Sequence, residues 1–220
     1  GTERLFGTPV EAANRIREQV YRELGFTVNV GVSSNKLLAK MASDFQKPNR
    51  VHTLFPEEIE EKMWPLPVRD LFFVGKAAER QLNRIGIRTI GDLAHTDQQV
   101  LSNVMKKHGE VLWCYANGMD DSPVEVEPAD AKGYSNSTTV SFDITDAADA
   151  KSVLRSLTEN VCRRLRKDGV RARTITVQIR YNDLTRTSHQ SPLSAASNIT
   201  KEIEDAACQL FDEMWDKTPI

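Results

Sequence analysis

Cysteine is scarce in this chain. Cys114, Cys162 and Cys208 lie far apart and form no CxxC pair, so no disulfide framework is encoded. They read as small buried hydrophobes in a reducing compartment. The four histidines, His52, His95, His108 and His189, share no ligand spacing with each other or with the cysteines, which argues against a zinc site. No apolar run approaches the ~20 residues of a membrane-spanning helix. No signal peptide opens the chain, and the expected compartment is the cytoplasm. An excess of one charge is missing too. Lys and Arg number 29 against 31 Asp and Glu, a net charge of −2. Any attraction for a polyanion must therefore be local.

What is present is an ordinary globular composition, 27% charged and 40% apolar over 220 residues, enough for one large domain or two small ones. Thr8-Pro9 and Glu11 mark a helix start, followed by Ala13, Ile16, Val20 and Leu24 at helical spacing. Phe26, Val28, Val30 and Val32 alternate as a strand. Ser33-Ser34-Asn35 offers an N-cap to a helix carrying Leu37, Leu38, Met41, Ala42 and Phe45, which Pro48 stops. A short strand at Val51 to Phe55 completes a piece of an α/β layer. That piece is too small to bury its own sheet, so more chain is expected on its N-terminal side.

Pro65-Leu66-Pro67 is punctuation. Beyond it the spacing predicts short helices at 67–71, 76–85, 89–94, 97–106 and 109–117, divided by glycines. The acidic, proline-containing stretch DDSPVEVEPADAKG, 120–133, reads as a linker. The last segment alternates as a strand over Tyr134 to Phe142. A helix follows with Ala150, Val153, Leu154, Leu157, Val161 and Leu165 on one face. The strand RTITVQIRY, a polar strand TRTSHQS and a final helix with Ile203, Ala206, Ala207, Leu210, Phe211 and Met214 come next. The order β-α-β-β-α is a split β-α-β unit short of its last strand, which would begin at Pro219-Ile220.

Three places hold candidate chemistry. In RTITVQIRY, Ile175, Val177, Ile179 and Tyr181 share one face, and Thr174, Thr176, Gln178 and Arg180 share the other. That second face, with serines, threonines and His189, is short of carboxylates. From Arg163 to Arg186 there are eight Lys or Arg against two Asp. Cations beside short hydroxyl and amide donors suit a phosphate backbone; a solvated face is the plain alternative. Arg173 opens the strand and can swing out at the margin. Arg180, Arg186 and Thr187 complete this candidate surface. The second place is LPVRDLFFVGKAAERQLNRIGIRTIGDLA, a glycine-turn helical hairpin. The backbone N–H groups of Val74, Gly75, Lys76 and Ala77 at a helix start could hold a phosphate. Packing alone explains such a hairpin equally well. The third is Lys36, Lys40 and Lys47, which read either as an anion site or as solvated lysines.

GVSSNKLLAKMASDFQKPN closely resembles the palm motif GxxxNKxxAKxASxxxKP of Y-family DNA polymerases, the DinB, polymerase IV and UmuC-like translesion enzymes. Residues 66–118 resemble the thumb of that family. Its later G-x-D-x-x-P-V is represented by Gly118, Asp120, Pro123 and Val124 with one residue of spacing differing. Residues 134–220 resemble its little finger. The resemblance implies an α+β fold: C-terminal part of the palm at 1–64, all-helical thumb at 65–119, linker at 120–133 and little finger at 134–220. It implies damage-bypassing, template-directed synthesis with two Mg²⁺ ions held by carboxylates. Those carboxylates belong to an earlier part of the palm, so no catalytic and no metal-binding residue is assigned here, and Asp44, Asp120 and Asp121 are not read as substitutes. Lys47 matches the family lysine that contacts the incoming deoxynucleoside triphosphate. The implied partners are primer-template DNA, the triphosphate and a sliding clamp gripped beyond residue 220, with no membrane. Two other readings are a polymerase-like accessory protein without catalysis and a helix-hairpin-helix module fused to an unrelated domain. One departure stands out. The hairpin of the family reads G-x-G, and here Phe73 takes the first glycine's place, where a positive φ is costly.

Overall fold

The computed structural model describes residues 3–125 and 130–220. It divides into two compact units, 1–127 and 128–220, and residues 126–129 of the expected linker lie outside the described residues. In the first unit, α1 (Glu3–Phe6) precedes α2 (Pro9–Leu24), β1 (Val30–Val32), α3 (Lys36–Asp44) and β2 (Val51–Thr53). A 3₁₀ turn at Pro56–Glu58 leads to α4 (Ile59–Lys62). After a second such turn at Val68–Asp70 come α5 (Lys76–Arg84), α6 (Ile90–His95), α7 (Gln98–Met105) and α8 (Lys107–Ala116). In the second unit, α9 (Ala147–Lys167), β3 (Ala172–Arg180), β4 (Arg186–Ser197) and α10 (Thr200–Met214) follow.

α2 starts where the capping box predicts: Thr8 accepts from the Glu11 amide while the Glu11 carboxylate accepts from the Thr8 amide. Its apolar stripe is another matter. Ala13 is buried, but Ile16 and Leu24 are 55% and 63% exposed. The strand expected from Phe26 shrinks to Val30–Val32, paired in parallel with Val51–Thr53, and Phe26 is exposed. Only the stretch that meets β2 forms a ladder, because alternation without a neighbouring strand leaves backbone groups to water. β1 then lies directly on α3. A Cβ on Gly31 would sit 1.8 Å from the Ala39 carbonyl oxygen, so this crossing admits no side chain.

One core runs through the unit, from Leu37, Leu38 and Met41 of α3 to Leu82, Ile90, Leu93, Leu101 and Leu112 of the later helices. Its last residues reach back to α3. The Asn35 side chain caps α3 through the Leu38 amide and donates to the Gly118 carbonyl. The Asp120 carboxylate accepts from the amides of Leu37 (3.1 Å) and Ser122 (3.2 Å). Asp120 is thus more than a turn residue. The Ser122 hydrogen bonds, with help from the Leu37 amide, hold its carboxyl below the ordinary value of 3.8. Asp120→Ala is expected to cost about 1 kcal/mol in urea unfolding at pH 7, as for a lost helix cap. A lowered carboxyl pKa stabilises the fold above the unfolded value, so the gap to the variant should shrink as the pH falls below 3.8 toward the lowered value. An equal gap at low pH would argue against the charged cap.

In the second unit β3 and β4 pair antiparallel, Arg180 opposite Arg186 and Ile179 opposite Thr187. α9 and α10 cover one face, with Val177 packed against Ala207 and Leu210, and Ile179 clustered with Ala150 and Phe211. The strand expected at Tyr134 to Phe142 does not form. Its residues serve α9 instead. The Tyr134 hydroxyl donates to Asp168 at 2.8 Å, the Arg164 guanidinium lies over its ring, and Arg164 also donates to the Ser135 carbonyl. The mixed helix-strand class holds, but among the described residues the unit runs α-β-β-α. Ile144 and Ile220 exchange both backbone hydrogen bonds, at 2.9 and 3.0 Å, which is a single antiparallel pair at the expected place of the last strand.

Candidate nucleic-acid interface

The β3–β4 register sorts the site residues. Directly opposed residues of an antiparallel pair share a face. Thr174, Thr176, Gln178 and Arg180 oppose Pro192, Gln190, Ser188 and Arg186, and all eight are exposed. The face they form carries no carboxylate. Gln190 was missed as a candidate from the sequence, and Ser188 was read only among the serines of the polar face. The length of the turn at Tyr181–Thr185 fixes their register.

Two sequence expectations fail on the same register. Thr187 opposes the buried Ile179 and His189 opposes Val177, so both side chains lie on the helix-covered side. Thr187 is half-buried there. Successive residues of a strand point to opposite faces, so with Arg186 on the exposed face its neighbour Thr187, and His189 two residues on, take the other. Arg173 escapes its parity by another route. Ala172 pairs with Ser197 but Thr174 pairs with Pro192. Residues 193–196 therefore bulge opposite Arg173, which is exposed.

Arg180 and Arg186 face each other across the ladder, and among the described residues neither has an ion-pair partner. Like charges directly opposed destabilise a sheet, so the pair does not stabilise the ladder. Of the helix-end cations, Arg164 is tied to Tyr134 and Ser135, and Arg166 donates to the Asn198 carbonyl at 3.0 Å and the Thr200 hydroxyl at 3.1 Å. Arg163, Lys167 and Arg171 are exposed.

In the hairpin, Gly75 precedes α5 and supplies no capping side chain. The first-turn amides of Lys76 and Ala77 therefore lack a side-chain partner. Val74 differs from the expectation: its amide donates inward to the Leu71 carbonyl at 3.0 Å, so it presents no donor. Phe73 does adopt the conformation that looked unfavourable, at φ 76°. The strain is on the order of 1–3 kcal/mol. Edge-to-face contacts with Phe72 (4.9 Å) and Tyr115 (5.9 Å) offset it by about 0.5–1.5 kcal/mol each.

Lys47 lies just beyond α3, with its ammonium 2.6 Å from the Asp44 carboxylate. Lys40 holds the same carboxylate, and Lys40 first and Lys47 second push the Asp44 pKa down. Exposed pairs of this kind contribute little stability, so Lys47 can exchange Asp44 for another anion. Among the described residues no three His, Cys, Asp or Glu side chains are grouped to hold a metal ion. Asp44 and Asp120 are both committed to the contacts above.

Comparison with known proteins follows the same division. The fold is that of Y-family DNA polymerases: a solved Y-family DNA polymerase chimera of Dbh and Dpo4 matches with a TM-score of 0.78 and 24% identity, over 99% of this chain and 63% of that one. The chain belongs to the impB/mucB/samB family, whose models match residues 1–44, its HHH motif at 56–87 and its C-terminal domain at 131–220. The DNA polymerase IV of Clostridium acetobutylicum is 46% identical over 96% of this chain and 53% of its own length. The DNA polymerase IV 2 of Bacillus subtilis is 38% identical over all of this chain and 55% of its own length. The chain thus spans about half the length of these curated relatives.

Proposed function

We propose that this chain is the DNA-gripping portion of a translesion DNA-directed DNA polymerase. The observation that carries the reading is the exposed, carboxylate-free sheet face with Arg180 and Arg186 opposed and unpaired. Residues 1–64 act as the rear of the palm, 65–119 as the thumb and 134–220 as the little finger. The sheet face lies on phosphates of primer-template DNA through Thr174, Thr176, Gln178, Arg180 and Arg186, with Arg173 at its margin. The amides of Lys76 and Ala77 hold a further phosphate. Lys47 leaves Asp44 for the triphosphate of the incoming nucleotide. The Mg²⁺ ions are held by carboxylates outside this chain, and a sliding clamp is engaged beyond residue 220. None of the described helices is long and apolar enough to cross a membrane.

The test is fluorescence anisotropy of primer-template DNA with the 220-residue chain over a salt series. With about three phosphates contacted, log K should fall with log salt at a slope near −3, whatever the sequence. The same preparation is expected to extend no primer with Mg²⁺ or Mn²⁺. Negligible DNA binding, or template-dependent incorporation, overturns the corresponding half of the reading.

A further inference from the structure

Three aromatic rings, Phe72, Phe73 and Tyr115, lie together beside the hairpin. Phe73 is 59% exposed and Phe72 39%. Phe72 and Tyr115 each meet Phe73 edge to face. Glycine would hold the same backbone without strain, and a ring left facing water gains little from burial. The strained conformation therefore maintains a braced, exposed ring two residues before Gly75.

We propose that Phe73 is a stacking surface for the DNA strand whose phosphate sits at the start of α5, its ring lying against the sugar or base of the neighbouring nucleotide. The proposal rests on the hairpin reading above. At ~3.3–3.6 Å per residue, two residues place the Phe73 backbone within about 7 Å of Gly75. The next surface along the chain offers the free amides of Lys76 and Ala77 and a lysine ammonium. A ligand that covers both must carry an anion and an apolar disc side by side. A nucleotide strand does so, whereas an apolar protein segment would leave the anion site empty. Stacking on an aromatic ring also tolerates any base, because every base has a π face.

The experiment measures anisotropy of fluorescein-labelled primer-template DNA with the whole chain and the variants Phe73→Ala, Phe73→Tyr and Lys76→Glu, over a potassium chloride series. Alanine keeps a Cβ at the same φ, so backbone strain is unchanged. Phe73→Ala should weaken binding about 5- to 20-fold with the salt slope unaltered, because no charge is lost. Phe73→Tyr should bind within about twofold of the parent chain. If thermal melts show Phe73→Ala unfolded at the assay temperature, Phe73→Leu takes its place; leucine keeps apolar packing without a flat ring and should lose as much affinity. Unchanged affinity in Phe73→Ala or its leucine substitute, or an equal loss in Phe73→Tyr, overturns the stacking role. If Lys76→Glu lowers affinity and slope while the Phe73 variants do nothing, stacking alone fails. If Lys76→Glu changes neither, the hairpin holds no phosphate, and the hairpin reading falls together with the stacking that rests on it.

Discussion

Reversing both arginines, Arg180→Glu with Arg186→Glu, is expected to weaken primer-template binding by about 100-fold at moderate salt and to flatten the salt slope from near −3 to near −1. Two of the three inferred phosphate contacts are lost, and the loss should be equal for every DNA sequence because phosphates carry none. The single change Arg180→Glu separates function from stability. It places a carboxylate directly opposite Arg186 in the ladder, converting repulsion into a cross-strand ion pair of roughly 0.2–1 kcal/mol. Its melting temperature should hold or rise while its DNA affinity falls. Affinity and stability falling together would mean that the two arginines maintain the sheet. An unchanged slope in the double variant would leave the face merely solvated.

The second large effect lies in the first unit. Gly31→Ala is expected to cost about 3 kcal/mol or more, near the upper end for overpacking. The new methyl would meet the Ala39 carbonyl oxygen at 1.8 Å and the Ser43 amide nitrogen at 2.6 Å, both backbone atoms of α3. No rotamer change relieves that, so β1 and α3 must separate and uncover Leu37, Leu38 and Met41. Gly133→Ala is the control, since a Cβ there meets nothing within 4 Å. Urea titration of both variants reads the difference. Equal midpoints would show that β1 and α3 can part cheaply.

Much of the fold was legible from spacing. The helices at 76–84, 90–95 and 98–105 fall where glycine and apolar periodicity put them, because each is short, local and stopped by its own residues. Buried Val177 and Ile179 alternating with exposed Thr176, Gln178 and Arg180 likewise follows from a period of two. What failed depended on partners distant in sequence. Tyr134 to Phe142 has strand-like alternation, yet it forms no ladder, and Tyr134 and Ser135 instead bond Asp168 and Arg164 at the end of α9. Phe26 alternates in step with β1 but finds no neighbouring strand. The candidate surface shows the same limit. One strand of it could be read directly, but the facing of Thr187 and His189 depended on a turn whose length the residues alone left open. Phe73 is the opposite case. Propensity argued against its backbone angle, yet Phe73 adopts it at φ 76° with its ring in contact with Phe72 and Tyr115.

The reach of Asp120 and Gly118 back to α3 also bears on the order of folding during synthesis. Asn35 meets Gly118 and Leu37 meets Asp120 across 83 residues. The amides at the start of α3 therefore lack part of their capping until that length of chain has followed them out of the ribosome. At ~5–20 residues per second this is an interval of several seconds. Sealing of the layer around α3 therefore waits for the C-terminal end of the first unit.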